Sequence, residues 1–256
     1  MKKNKELVGN VLADFNLGAS KNEIAKKYSL HRETVRIWIK KFGCVPQRAE
    51  GSDLKSEKCG FEFHHDHKIF DCKEYAYILG MYLGDGYISK GERTYRLRIF
   101  LFSEHMEILE KCKQYLKVLF PNNKVSYNKQ LKSRCNTLYV YNNELPTIFP
   151  QHGKGNKHTR EIKLECWQKE ILNKFPEEFI SGLLDSDGCS YYQTNLNNVR
   201  YYQFSNRSED IKSLFIDYCV LLGIECTIDS DKILSIRRKE ERTKLERFYL
   251  PKVVTV

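Results

Sequence analysis

Two stretches of the chain are near copies of each other. Residues 77–87 read YILGMYLGDGY and residues 179–189 read FISGLLDSDGC. Each is an apolar run with an internal glycine, closed by Asp-Gly. Glycine inside a helix costs about 1 kcal/mol relative to alanine. A chain that keeps it at the same spot twice must gain something outside the helix itself. Read as helices, the first opens on Asp71 as its cap, with Glu74 at the capping-box position. The second carries Pro176 in its first turn, followed by Glu177 and Glu178. Gly80 and Gly84 then lie four apart on one face, as do Gly182 and Ser186. Small residues at this spacing let two helices cross with their backbones nearly touching, best known in membranes but steric in origin. Gly80, Gly84, Gly182 and Ser186 are therefore the expected helix–helix interface.

Asp85 and Asp187 fall at the matching ends of these helices. Gly86 and Gly188 are expected to supply the left-handed residue that stops each one. A carboxylate there faces the negative end of the helix dipole, which disfavours it. Two such helices side by side and parallel would also bring the carboxylates together. Like charges at close range cost energy unless a cation sits between them. A hard divalent ion, magnesium by preference, accepts carboxylates, water and phosphate oxygens together. A lone Asp-Gly is ordinarily a turn, and a lone pair of small residues only packs. Here the whole pattern occurs twice, 102 residues apart.

The recurrence extends beyond the motifs. After each comes an alternating strand, residues 94–102 and 199–205. Each strand leads to a serine, an acid and an amphipathic helix, one carrying Met106, Ile108, Leu109, Cys112 and Leu116, the other Ile211, Leu214, Phe215, Tyr218 and Leu222. A second strand pair follows, near Val125–Tyr127 with Thr137–Tyr141, and near Cys226–Ile228 with Ile233–Ile236. Each copy closes on a turn of helix, LPTIF in the first and LERFY in the second. Residues 71–256 thus read as two copies of helix, strand pair, helix, strand pair, helix. Repeat one spans 71–160, repeat two spans 176–256, and 150–176 joins them. The fold class is α+β.

Residues 1–43 have a different character. Ser20 and Glu23 form a capping box ahead of Ile24, Ala25 and Tyr28 at helical spacing. Ser29-Leu30-His31 makes a short break, and a second helix from about Arg32 carries Val35, Trp38 and Ile39 on one face. That outline resembles a helix-turn-helix of the resolvase and transposase kind. His31, Arg32, Thr34 and Arg36 would face the major groove, and Lys40 and Lys41 would meet phosphates. A linker, 44–70, follows. It runs into Cys59, His64, His65, His67 and Cys72, residue types that bind zinc at a spacing that matches no standard finger or ribbon; a polar loop is the simpler reading.

Charge agrees with a polyanion partner. The net charge is +10, and residues 1–50 hold 11 Lys and Arg against 5 Asp and Glu. Excess positive charge of this kind suits nucleic acid. Nine cysteines without a CxxC pair argue for reduced thiols rather than a disulfide framework. The opening MKKNKELVGN turns polar at once, and no run is long and apolar enough to cross a bilayer. The expected location is cytoplasmic.

ILGMYLGDG (78–86) and ISGLLDSDG (180–188) resemble, without gaps, the nine-residue motif of the LAGLIDADG, or DOD-type, homing endonucleases. The likeness covers about 71–256. Two motifs in one chain imply the monomeric single-chain form: two pseudo-symmetric αββαββα repeats whose saddle-shaped antiparallel sheets straddle DNA. The resemblance implies that Asp85 and Asp187 are the catalytic acids. It implies that they share two or three Mg²⁺ ions, with Gly84 and Ser186 also at the metal. The motif's earlier acid is Leu83 in the first copy and Asp185 in the second, a position that is structural in the family. A basic residue after each second strand pair is implied as well: Lys157, with Lys154 as rival, and Lys252. The implied activity is metal-dependent hydrolysis of both strands of a long duplex target. Outward polar residues of the sheets, among them Arg96, Arg98, Tyr139, Tyr201, Gln203, Arg237 and Arg238, would contact DNA. Two other readings use the same scaffold: a catalytically silent DNA-binding transcriptional regulator, and an RNA maturase.

Overall fold

A computed structural model of the chain describes residues 70–129, 134–193 and 199–252 and, ahead of them, 10, 11, 14, 19, 21–30, 34, 35 and 38. The chain divides into two compact units, 1–65 and 66–256. In the first, helix α1 (Lys21–Lys27) buries Ile24 against Val11 and Val35, with Ala25, Tyr28, Leu30 and Trp38 packed around them. Asp14 accepts from Lys27 and from the Tyr28 hydroxyl, at 2.6 and 2.7 Å. Thr34 is helical and half-buried. His31, Arg32, Arg36, Lys40 and Lys41 lie outside the described residues, as do Cys59, His64, His65 and His67.

The second unit repeats one order of elements. The first copy runs α2 (Lys73–Asp85), β1 (Gly86–Lys90), β2 (Tyr95–Phe102), α3 (Met106–Leu119), β3 (Ser126–Lys129), β4 (Cys135–Tyr141) and α4 (Leu145–Ile148). The connection carries α5 (Cys166–Lys174). The second copy runs α6 (Pro176–Asp187), β5 (Gly188–Gln193), β6 (Val199–Ser205), α7 (Glu209–Leu221), β7 (Thr227–Ile228), β8 (Ile233–Ile236) and α8 (Lys239–Leu245). Each copy builds one antiparallel sheet, in the orders β1-β2-β4-β3 and β5-β6-β8-β7. The inward faces supply the core, Leu97, Ile99, Leu138 and Val140 in one sheet and Tyr202, Phe204, Leu234 and Ile236 in the other. Every residue of α2 from Tyr75 to Leu83 is buried, so this helix is apolar all round because it is covered all round.

Several details differ from the sequence reading. Asp71 does not cap α2: Cys72 stands at the cap without a side-chain bond, and Asp71 pairs with Lys174 instead. Gly86 and Gly188 are extended (φ −92° and −89°), not left-handed. They are glycines because the chain doubles back over its own helix. A Cβ at Gly86 would stand 2.4 Å from the Tyr82 Cα, and one at Gly188 would stand 2.4 Å from the Leu184 carbonyl oxygen. Met106 is exposed rather than part of the apolar face of α3. The closing helix of the second copy is Lys239–Leu245, ahead of LERFY, of which only Leu245 is helical. Among the described residues no helix is long and apolar enough to cross a membrane.

Candidate active site

The two motif helices, α2 and α6, make the most extensive contact between elements of the molecule. They touch through their small residues. A Cβ on Gly80 would lie 2.6 Å from the Phe179 carbonyl oxygen, and one on Gly182 would lie 2.2 Å from that of Tyr77. Nearer the helix ends, a Cβ on Gly84 would collide with the Ser186 side chain, at 2.1 Å from Oγ. Ser186 Oγ turns back into its own helix, donating to the carbonyls of Leu183 and Gly182 at 2.9 and 3.1 Å. Its hydroxyl is therefore committed to α6, and only its carbonyl faces the helix end.

Asp85 and Asp187 are the last residues of the two helices. Burial raises the pKa of both carboxyls. That of Asp187 rises to about 6, with repulsion from Asp85 as the second cause. The two acids are thus near enough to feel each other in a desolvated place. Lys157 and Lys252 oppose this rise at both. Asp187 also accepts from Asn206 Nδ2 at 2.7 Å, and this helps to keep it ionised. Among the described residues no side chain makes such a bond to Asp85.

The lysines occupy matching places. Lys157 Nζ donates to the carbonyls of Tyr82, Gly84 and Gly86 at 2.5, 3.0 and 2.7 Å. Lys252 Nζ donates to those of Ser186 and Gly188 at 3.0 and 3.2 Å. Each ammonium gathers carbonyls at and just beyond a helix end, and each meets the negative end of the dipole. Burial lowers both pKa values against the pull of the acids, to about 8 at Lys157. The loop that carries Lys157 is held by an amide pair. Gln151 and Gln168 are both buried and bond each other, at 2.6 and 3.1 Å. Gln168 reaches the Tyr75 hydroxyl at 2.7 Å, and that hydroxyl donates to the Ile148 carbonyl at 2.8 Å.

Asp185 has another role. It is buried, accepts from the Tyr77 hydroxyl at 2.6 Å and lies 3.8 Å from Lys111 Nζ. The Lys111 ammonium also lies 3.9 Å from the centre of the Tyr77 ring. The first copy has Leu83 at this position, fully buried in the core.

Residues 73–152 match the family model described as the LAGLIDADG-like domain. That stretch of the chain is similar to a LAGLIDADG-like domain. It holds the first motif and one complete sheet, and residues 176–256 repeat its order of elements around the second motif. No curated protein matches the chain. Among solved structures, I-DmoI in complex with DNA and Mn is 20% identical; the match covers 71% of this chain and 98% of that one, with a TM-score of 0.49. Full-length DUF199/WhiA from Thermatoga maritima is 12% identical over 75% of this chain and 58% of that one, at 0.47. The homing endonuclease I-WcaI bound to its DNA recognition sequence is 15% identical over 70% and 83%, at 0.44.

The outer faces of the sheets carry the remaining residues singled out by sequence. Arg96 and Arg98 project from β2, opposite Tyr141 and Tyr139 of β4. The Arg98 guanidinium lies over the Tyr87 ring at 5.1 Å, and that of Arg96 lies over Tyr141 at 5.8 Å. Arg237 pairs with Asp229 at 2.5 Å and Arg238 with Glu225 at 2.7 Å. Among the described residues Lys154 makes no hydrogen bond to the motif helices, whereas Lys157 makes three at the end of α2. Asn206, Asp229 and the Tyr77–Asp185 contact were not among the sequence candidates. The Ser-Asn turn directly after strand 199–205 was the one visible signal for Asn206.

Proposed function

We propose that the LAGLIDADG-like chain is a sequence-specific DNA endonuclease that hydrolyses both strands of a long duplex target with divalent metal. The observation that carries this reading is the pair of desolvated, mutually repelling carboxylates at the joined helix ends, each with its own lysine. The residues fit a hard cation. Two oxygen-only side chains face one place where burial raises both pKa values although two lysines oppose the rise, with the carbonyls of Gly84 and Ser186 at the same ends. Among the described residues no group of three His, Cys, Asp or Glu side chains gathers. A site of this kind therefore suits ions that keep water and phosphate as further ligands, as magnesium does. When bound, such an ion supplies Lewis-acid stabilisation of an attacked phosphate and an acidified water.

The chain's own residues do the rest. Asp85 and Asp187 hold negative charge at the floor of the cleft. Lys157 and Lys252 fix the helix ends that carry them and set positive charge beside each phosphate position. Asn206 orients the Asp187 carboxylate. One acid and one lysine per copy give two centres, one for each strand. The first unit is a helix-turn-helix that adds a second DNA contact, and the working form is a monomer.

The test is incubation of the whole chain with a plasmid library of random inserts, in Mg²⁺ or in EDTA. Linear product at a rare site in Mg²⁺ alone is expected. Asp85→Asn and Asp187→Asn should each lower the rate by at least about 10²-fold while duplex binding persists. Tight binding of a specific duplex without cutting would instead support the silent regulator. That reading draws on both lysines already being bound to carbonyls at the helix ends. Selective binding of a structured RNA would support the maturase.

A further inference from the structure

We propose that Asp229 sets the specificity of the second sheet by holding Arg237 away from phosphate. The first sheet then anchors DNA by charge, and the second reads it by hydrogen bonding. The inference deepens the DNA-binding reading and rests on it.

The two sheets share one register, so their outer faces can be compared position by position. Gly86 stands opposite Ile99 and Ile99 opposite Leu138; Gly188 stands opposite Phe204 and Phe204 opposite Leu234. Counting from these anchors, Arg96 matches Tyr201, Arg98 matches Gln203, Tyr139 matches Ser235 and Tyr141 matches Arg237. Tyr127 faces Leu138 and Ile228 faces Leu234, so Asn128 matches Asp229.

The chemistry at these matched positions differs. Among the described residues no carboxylate stands within ion-pair distance of Arg96 or Arg98. Their guanidinium groups rest on the rings of Tyr141, Tyr87 and Phe100, and Arg98 Nε has no hydrogen-bond partner. Rings orient an arginine without cancelling its charge. On the second sheet, Asp229 gathers three donors: Ser235 Oγ, Arg237 Nη2 at 2.5 Å and Gln203 Nε2 at 3.5 Å. The Asp229 side chain is 16% exposed and that of Arg237 is 47% exposed. The arginine is reachable, yet its charge is already met. A phosphate that approached it would have to displace a carboxylate and would be repelled by that carboxylate meanwhile. Each phosphate neutralised by a protein cation releases counterions and steepens the salt dependence of binding. The first sheet therefore contributes to that slope and the second does not. What the second face retains is the half-buried Gln203 amide and the partly exposed Asp229 carboxylate oxygen, the Ser235 hydroxyl being fully buried. These groups read base edges, and an acid selects the amino group of cytosine.

The test uses the whole chain, a labelled random-sequence duplex and EDTA, with binding followed by anisotropy across a range of salt. Arg98→Ala should lower the slope of log K against log salt by about 1, whereas Arg237→Ala should leave it unchanged. Asp229→Asn should raise the slope by about 1 and tighten binding to random duplex. Adding Arg237→Ala to Asp229→Asn should restore the wild-type slope. An Asp229→Asn slope equal to wild type overturns the inference, as does an Arg237→Ala loss equal to that of Arg98→Ala. That second comparison decides even if Asp229→Asn fails to fold, because it does not use the variant. A wild-type chain that binds no duplex overturns the DNA-binding reading itself. Unchanged slopes in a chain that does bind overturn only the inference.

Discussion

Asp187 holds a proton more tightly in the folded chain than in the unfolded one, with its pKa lifted to about 6 from the ordinary 3.8. Unfolding therefore releases that proton in the window between these values. The penalty for the charged form is fully present above about pH 6 and vanishes as pH falls below the ordinary carboxylate range. Asp187→Asn removes the penalty. In EDTA it should stabilise the chain by on the order of 2 kcal/mol near neutral pH and by almost nothing near pH 3. Urea denaturation at the two pH values measures this, and equal stabilities at neutral pH would refute it. Asn206 sets the two centres apart. Register places Leu101, which is buried, where the second copy has Asn206. Asn206→Leu should slow cutting at one strand more than at the other, seen on a duplex labelled on each strand in turn. Equal slowing of both would show that the amide only supports the fold. Such inequalities were not legible in the motifs, which match at Asp85 and Asp187 but say nothing of what reaches them from a strand.

The motif helices show how much an element owes to its neighbour. Their glycine spacing and terminal acids were readable because a period of four and an Asp-Gly end are local patterns. The alternating strands at 94–102 and 199–205 were readable for the same reason and sit at Tyr95–Phe102 and Val199–Ser205. The short strands Gly86–Lys90 and Gly188–Gln193 were not located, because each begins at the glycine taken for a helix stop. Helix α5 was missed inside the connection. Its capping box, Glu165 with Gln168, and its buried Ile171 and Leu172 were signals that a linker reading ignored. The lysines at the helix ends lie dozens of residues away in sequence, so only the resemblance pointed to them. Gly182→Ala places a Cβ 2.2 Å from a backbone oxygen that cannot swing aside. Overpacking ordinarily costs about 1–3 kcal/mol, and here a loss above about 3 kcal/mol is expected. Gly153→Ala, whose nearest contact would be 3.6 Å, is the control and should be near neutral. Denaturant midpoints of the two variants decide this, and similar midpoints would mean that the helices can separate cheaply.

Across the second unit, the two copies share one core. The buried cluster runs without a break from Phe70 through both motif helices to Tyr249. Residues 66–256 should therefore unfold in one transition, with calorimetric and van't Hoff enthalpies in agreement. Two separate transitions would show that the copies are independent domains. The copies are joined by their motif helices, α2 and α6, which pack on each other. The contact of Tyr77 and Lys111 with Asp185 also makes the two copies unequal. Two first copies brought together would leave each Tyr77 and each Lys111 facing a leucine, with no acid to receive them. Two second copies would bury a pair of carboxylates without the lysine that tempers one of them. Neither copy can now stand in for its sister.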